Sequence, residues 1–341
     1  MPNSETNELT ALLEGAGYSA VTDRGFLRVT GTDATRWLNG MVTNSIQGLE
    51  PGEGNYNFLL NAQGRIQGDA TVYRETAEGG ATFLMETEAS QVETIRQHLD
   101  RFIIMDDVEL APVEGLSGVL VAGPQALSIV AALGTGNQRA EPCSPAAAAA
   151  PSVTLNLKLT SYAGASVWLM QGGGPLVSRF EIWSDASTVA SILAELGESC
   201  ARPVSAAGLE WLRLLEARPK YGVDIRDRDL PQETAQAQAL HFAKGCYLGQ
   251  EIVERIRSRG QVHRRFGAFR LRGELPASFP VALEAGGKPA GELTSGAVIP
   301  LAGGPVLLAL GYARQEAVDA KLELAYPGGV AVPESDPVAA G

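Results

Sequence analysis

Residues 83–99 read FLMETEASQVETIRQHL, and residues 180–196 read FEIWSDASTVASILAEL. At a constant offset of 97 residues, Phe83 meets Phe180 and the acid-Ala-Ser triplet at Glu88 meets the one at Asp185. Val92, Ile95 and Leu99 then meet Val189, Ile192 and Leu196. Each copy predicts a strand ending at a residue suited to cap a helix, Thr87 or Ser184. An acid follows where the helix dipole favours negative charge. Each helix then carries the same apolar stripe. Any strand-to-helix junction tends towards this pattern, but a second junction repeats in the same order. GFLRVTG (25–31) runs into a helical DATRWLNGMV with Trp37, Leu38 and Met41 on one face. SGVLVAG (117–123) runs into PQALSIVAAL, with Pro124 at the first helical position. A duplicated α+β lobe is the expectation. Two packed copies leave a cleft between them, a common place for a small-molecule site.

The connection 134–152, GTGNQRAEPCSPAAAAAPS, is rich in Ala and Pro and reads as a surface loop carrying Cys143. After Phe266, FGAFRLRGELP, GKPAGELTSGAV and VLLALGYAR are short strand-like runs broken by Gly and Pro, the mark of a small all-β domain. From Tyr326 onward the chain is expected to trail into disorder. The predicted divisions are 1–115, 116–265 and 266–341.

The chain has 341 residues and a formal net charge of -12. That acidity argues against a general nucleic-acid or membrane-surface binder, though it leaves room for a local basic pocket. No apolar run approaches the length of a spanning helix. The polar start MPNSETNELT lacks the pattern of a secretory signal. Three widely spaced cysteines, Cys143, Cys200 and Cys246, suggest neither a disulfide framework nor a zinc site, and no metal ligand set is expected. A reducing cytoplasm is the simplest compartment.

The chemistry concentrates in residues 244–266, KGCYLGQEIVERIRSRGQVHRRF, where five arginines follow a cysteine. Two glycines four apart in GCYLG suit a turn whose backbone passes close to something. From Leu248 a helix is predicted, with Leu248, Ile252 and Ile256 on one face and Glu251, Arg255 and Arg259 on the next. Glu251 precedes Arg255 in the favourable orientation for an ion pair. Arg257 points away, to solvent. Cys246 has two readings: a small buried residue, or a thiolate stabilised by Lys244 and the arginines. The arginines are either a solvated face or part of a site. NFLLNAQGRIQGDATVYR (57–74) predicts a hairpin in which Asp69 is either an exposed strand residue or an acid aimed into the cleft.

KGCYLGQE (244–251), with the glycine of RSRGQVHRR, resembles the signature of YgfZ-type folate-binding proteins. These are relatives of the glycine-cleavage T-protein, the tetrahydrofolate-dependent aminomethyltransferase. LRLLEARPKYGVDI (212–225), LPQE (230–233), NAQGRIQGD, GELTSGAV and LALGYAR resemble further segments of that family, in its order. The resemblance implies duplicated lobes in a cloverleaf around a folate site, with a small C-terminal β-barrel. It implies tetrahydrofolate or a derivative as ligand. The folate-binding residues it implies are Asp69, Tyr73, Arg213 and Phe242, and the catalytic ones Cys246, Lys244 and Asp69. It also implies a role supporting iron–sulfur enzymes, and through them tRNA modification, without direct nucleic-acid or membrane contact. An aminomethyltransferase and a non-catalytic interaction protein with a degenerate cleft are the alternatives. Several positions depart from the T-protein pattern. Gly68 stands where T-proteins carry the first of two acids, and Ala217 where they carry a glycine. GGGPLVSRFEIW (172–183) lacks their pterin-holding glutamate. Cys246 and Tyr247 replace an acid and a phenylalanine.

Overall fold

The structure is a computed structural model and describes residues 4–76, 81–134, 155–260 and 262–334. Eleven strands build one sheet: β1 (Gly17–Val21), β2 (Arg24–Thr30), β3 (Glu53–Leu60), β4 (Ile66–Arg74), β5 (Phe83–Glu88), β6 (Glu109–Val113), β7 (Ser117–Ala122), β8 (Leu155–Tyr162), β9 (Ala165–Gly173), β10 (Ser178–Ser184) and β11 (Arg202–Pro203). Their spatial order is β11-β1-β7-β10-β9-β8-β3-β4-β5-β2-β6. The run β7-β10-β9-β8 is thus mirrored by β3-β4-β5-β2. The halves join where Glu53 and Gly54 of β3 pair with Asn156 and Leu155 of β8.

The duplication read from the sequence is present in detail. Helices α2 (Ala34–Met41) and α3 (Val92–Asp100) cover the first half. Trp37, Leu38, Ile95 and Leu99 enter its core. Helices α4 (Ala126–Ala132) and α5 (Ala186–Glu198) cover the second, where Val189, Ile192 and Leu196 are buried. The capping expectation is corrected. Asp185, not Ser184, caps α5 by accepting from the amides of Ser187 and Thr188. The first copy enters α3 through a 3-10 turn without a side-chain cap. Thr87 and Ser184 instead donate their hydroxyls across the sheet, to the carbonyls of Asp69 and Ser166, each at 2.8 Å. These acceptors are themselves one repeat apart, so the duplication extends to this hydrogen bond. Helix α4 begins at Ala126, two residues beyond Pro124.

Helix α6 (Ala206–Leu215) follows, and α1 (Ser4–Glu14) packs against it. An irregular stretch leads to α7 (Gln250–Arg259). The C-terminal region is a closed six-stranded barrel of β12 (Arg264–Gly273), β13 (Val281–Ala285), β14 (Lys288–Leu301), β15 (Gly304–Arg314), β16 (Leu324–Tyr326) and β17 (Gly329–Glu334), with α8 (Gln315–Asp319) after β15. The expected trailing tail is corrected as far as Glu334: GVAVPE forms β17, which pairs with β12 and closes the barrel, and residues 335–341 lie outside the described residues. Closure removes the exposed strand edges that a short open sheet would present. Among the described residues no helix is long and apolar enough to cross a membrane. Cys200 is disulfide-bonded, although the spacing of the cysteines suggested no disulfide framework, and Cys246 is free. Cys143 lies outside the described residues.

Candidate functional site

Strand alternation decides which side chains can meet between the halves. On β4, Ala70 and Val72 enter the core beneath α3. Asp69, Thr71 and Tyr73 point to the other face, as the two-residue period requires. Gly68 belongs with the helix side: a Cβ there would sit 3.1 Å from Ile95 Cγ1. An acid at 68 would therefore be crowded against Ile95 and the Gln91 amide on the helix side, which leaves Asp69 as the carboxylate of this hairpin that reaches the opposite face. The Tyr73 ring lies across the strand from Gly54, where a Cβ would come within 2.4 Å of it. Glycine is needed there to seat the ring.

These residues wall a cavity of about 500 Å³ between the two halves of the sheet. Asp69, Tyr73 and Arg213 border it, together with Arg24, Glu86, Glu88, Arg179, Glu181, Arg218, Lys220 and Tyr221. Tyr56 donates its hydroxyl to Asp69 Oδ2 at 2.5 Å. Burial raises the Asp69 carboxyl above its usual range, opposed by the Tyr56 bond and the charge of Arg24. Glu86 is pushed up to about 7 by burial, reinforced by the neighbouring Glu181 carboxylate. Arg24 lies 3.5 Å from Glu86 and 3.4 Å from Glu88. Trp183 Nε1 donates to Glu181 at 3.0 Å. The wall thus interleaves carboxylates, able to accept from N–H groups, with guanidinium groups.

Arg213 is held differently from the expectation of a ligand-binding residue. Its Nε and Nη2 donate to Glu210 at 2.8 and 2.7 Å. Nη1 donates to the Arg218 carbonyl and to Asp224, both at 2.6 Å, and Nη2 also to Ser295 Oγ at 2.9 Å. A guanidinium has five N–H donors, and all are committed. Arg213 therefore ties α6 to the barrel rather than offering a free hydrogen bond to the cavity. Ala217, standing where the T-protein pattern has glycine, has φ +50°, the left-handed region that glycine enters without steric cost.

The signature segment lies outside the cavity wall. Lys244 Nζ donates to the carbonyls of Val42 (2.7 Å) and Asn44, and sits 5.1 Å from the Tyr247 ring centroid. Leu248 N donates to the Gly40 carbonyl and His241 N to that of Thr43. Gly249 has φ +81°, and a Cβ there would lie 2.6 Å from the Asn61 carbonyl. The close backbone approach expected of GCYLG is thus made to the turn of the NAQG hairpin. The residue of α7 that enters the core is Val253, not the Leu248–Ile252–Ile256 stripe.

Cys246 is exposed, so it is neither a core residue nor part of the cavity wall. Three of the cations expected to surround it, Lys244, Arg257 and Arg264, are engaged elsewhere. Lys244 satisfies backbone carbonyls, and burial pushes its ammonium down to about 7. Arg257 is exposed, as expected, while pairing with Glu254 and lying 4.4 Å from the Phe242 ring centroid. Arg264 reaches Asp229 (2.6 Å), Glu233 (3.1 Å) and Glu292 (3.3 Å). The expected Glu251–Arg255 pair does not form among the described residues, and the Arg259 side chain lies outside them. Phe242, expected to bind folate, lines a separate groove of about 1120 Å³ between the 231–242 segment and the barrel. The structure therefore brings Asp69, Tyr73 and Arg213 together, and places Phe242, Lys244 and Cys246 apart from them.

Sequence reading missed Arg24, Glu86, Arg179, Glu181 and Arg218. A signal was present for two of them: Glu86 in FLMETE and Glu181 in RFEIW are acids inside apolar strands, where a charge needs a partner.

The class defined by this geometry is a twinned α/β sheet closing on a charged cavity, followed by a six-stranded barrel. Residues 1–244 match the family described as the GCVT N-terminal domain, and the chain belongs to that family. It is 26% identical over 338 residues to the aminomethyltransferase of Nostoc sp. (strain PCC 7120), covering 95% of this chain and 84% of that one. It is 27% identical over 286 residues to the mitochondrial iron–sulfur cluster assembly factor IBA57 homolog of Neurospora crassa. That match covers 79% of this chain and 58% of the relative, so the chain spans less than two thirds of that protein. The crystal structure of glycine cleavage system aminomethyltransferase T from Bartonella henselae superposes with a TM-score of 0.79, at 20% identity, over 98% of this chain and 89% of that one. The GcvT-like fold and the C-terminal barrel expected from the sequence are both present.

Proposed function

We propose that this chain binds tetrahydrofolate or a derivative in the cavity between its halves and serves as an accessory factor in the assembly or repair of iron–sulfur enzymes. The observation that carries the binding reading is the wall itself. A cavity of about 500 Å³ is in the range that holds a cofactor-sized ligand. Asp69, Glu86 and Glu181 would accept from the amino and ring N–H groups of a pterin, and the buried Tyr73 ring packs behind them. The accessory role is supported by likeness to the iron–sulfur cluster assembly factor over 79% of this chain. The exposed thiol of Cys246 would then serve a protein partner at the surface rather than the folate. One cysteine cannot by itself hold a cluster.

Folate-dependent aminomethyl transfer is the second reading. It is favoured by the likeness to aminomethyltransferases and by Asp69, a half-buried acid facing the cavity with its proton affinity raised. Calorimetric titration with tetrahydrofolate tests the binding reading: saturable binding that weakens on Asp69→Asn is expected. Absence of binding would leave the interaction-protein alternative standing. A transfer assay with an aminomethyl donor separates the two folate readings, and turnover abolished by Asp69→Asn would favour the enzyme.

A further inference from the structure

We infer that Arg218, backed by Arg179, forms an oxyanion subsite in the cavity wall. On the folate reading above, on which this identity rests, the occupant is a carboxylate of the ligand's glutamate tail. The other cations of the wall are matched. Arg24 has Glu86 and Glu88, Lys220 has Asp23 at 3.2 Å and Glu88 at 3.6 Å, and every donor of Arg213 is used. Arg179 holds the buried Glu216. Arg218 is different. Its side chain donates no hydrogen bond among the described residues, and its nearest carboxylate oxygen is Glu216 Oε2 at 3.8 Å. That carboxylate already accepts from Arg179 and from the Leu176 amide. Glu181 is also close enough to attract Arg218, yet it forms no ion pair within 4 Å and accepts from Trp183 instead.

Two guanidinium groups therefore share one carboxylate, and a planar fork of donors remains open on the cavity. The charge of Arg179, and then burial, pull the Arg218 guanidinium down to about 9. A carboxylate accepts two parallel N–H bonds from such a fork, a geometry an ammonium group cannot reproduce. The side chain is 36% exposed and lines the cavity.

The test compares wild type, Arg218→Gln and Arg218→Lys as full chains. Each is titrated with tetrahydrofolate and with a tetrahydropterin lacking the benzoylglutamate tail, and melted with and without millimolar inorganic phosphate. The expected result is a loss of tetrahydrofolate affinity of about 10- to 100-fold in Arg218→Gln, partly recovered in Arg218→Lys, with tetrahydropterin affinity unchanged. Phosphate should raise the melting temperature of wild type, leave that of Arg218→Gln unmoved, and compete with tetrahydrofolate but not with tetrahydropterin. Unchanged tetrahydrofolate affinity in Arg218→Gln overturns the assignment, and so does an equal loss for both pterins. If wild type binds neither pterin, the folate reading fails separately and phosphate alone decides the subsite. A melting shift lost in Arg218→Gln then upholds it, and equal shifts in both proteins overturn it.

Discussion

Replacing Arg213 by methionine should destabilise the fold more than it weakens any ligand. The substitution keeps much of the packing volume but removes five donated hydrogen bonds that join α6, the 218–224 loop and Ser295 of the barrel. The critical partner is Asp224, which is fully buried. Removing one partner of a buried ion pair costs about 3–5 kcal/mol, because the other charge is left behind. Asp224 would still accept from Lys220 N, Thr294 Oγ1 and Ser295 Oγ, so the lower end applies, about 3 kcal/mol. For 341 residues unfolding together, the melting entropy is roughly 0.7 kcal/mol/K, and the melting temperature should fall by about 4 °C. Arg213→Lys, with charge retained but only three donors, should fall between. Scanning calorimetry measures the shift, and a tetrahydrofolate titration runs alongside. An unchanged melting temperature with a tenfold or greater loss of affinity would refute the reasoning and return Arg213 to the ligand.

Three further outcomes follow from local geometry. Ala217→Gly should stabilise the fold by roughly 0.5–1 kcal/mol, since relief of left-handed strain exceeds the added freedom of the unfolded chain; urea midpoints check it, and a loss of stability contradicts it. Glu86, raised from 4.5 to about 7, keeps a proton in the folded state that the unfolded chain has released across that window. Its contribution to stability therefore falls as pH rises from about 4.5 to 7, by up to about 3 kcal/mol. Glu86→Gln should flatten that part of the profile, and an unaltered slope would show that other groups set it. Cys246→Ser should leave both melting temperature and tetrahydrofolate affinity unchanged, because the thiol is exposed and off the cavity wall. A thiol-specific reagent should modify the native protein at Cys246 without unfolding it, and slow modification limited by unfolding would contradict the exposure.

The fold was legible because the duplication leaves its period in the apolar residues. The stripe of Val92, Ile95 and Leu99 and its copy are fixed by helix geometry alone, and the hairpin around NAQG by its turn chemistry. Asp69 could be named because it stands at a turn-proximal strand position that resembles a known motif. What was not legible depends on contacts between distant segments. Lys244 is two residues from Cys246 in sequence, but its ammonium is drawn to the carbonyls of Val42 and Asn44 about 200 residues earlier. Buried carbonyls need donors, and that requirement outweighs proximity to a thiol. Arg213 matched a motif, yet its occupancy by Glu210, Asp224 and Ser295 could be seen only once the barrel was in place. Thr87 and Ser184 sat at plausible caps, but a neighbouring strand offered their hydroxyls a carbonyl first.

The most direct test of the account is a crystal structure of the protein bound to a tetrahydrofolate analogue. The pterin is expected between the two halves of the sheet, within hydrogen-bond reach of Asp69 and the acids at 86 or 181, with Cys246 out of contact. Density for the pterin in the groove beside Phe242, or against Cys246, would contradict it.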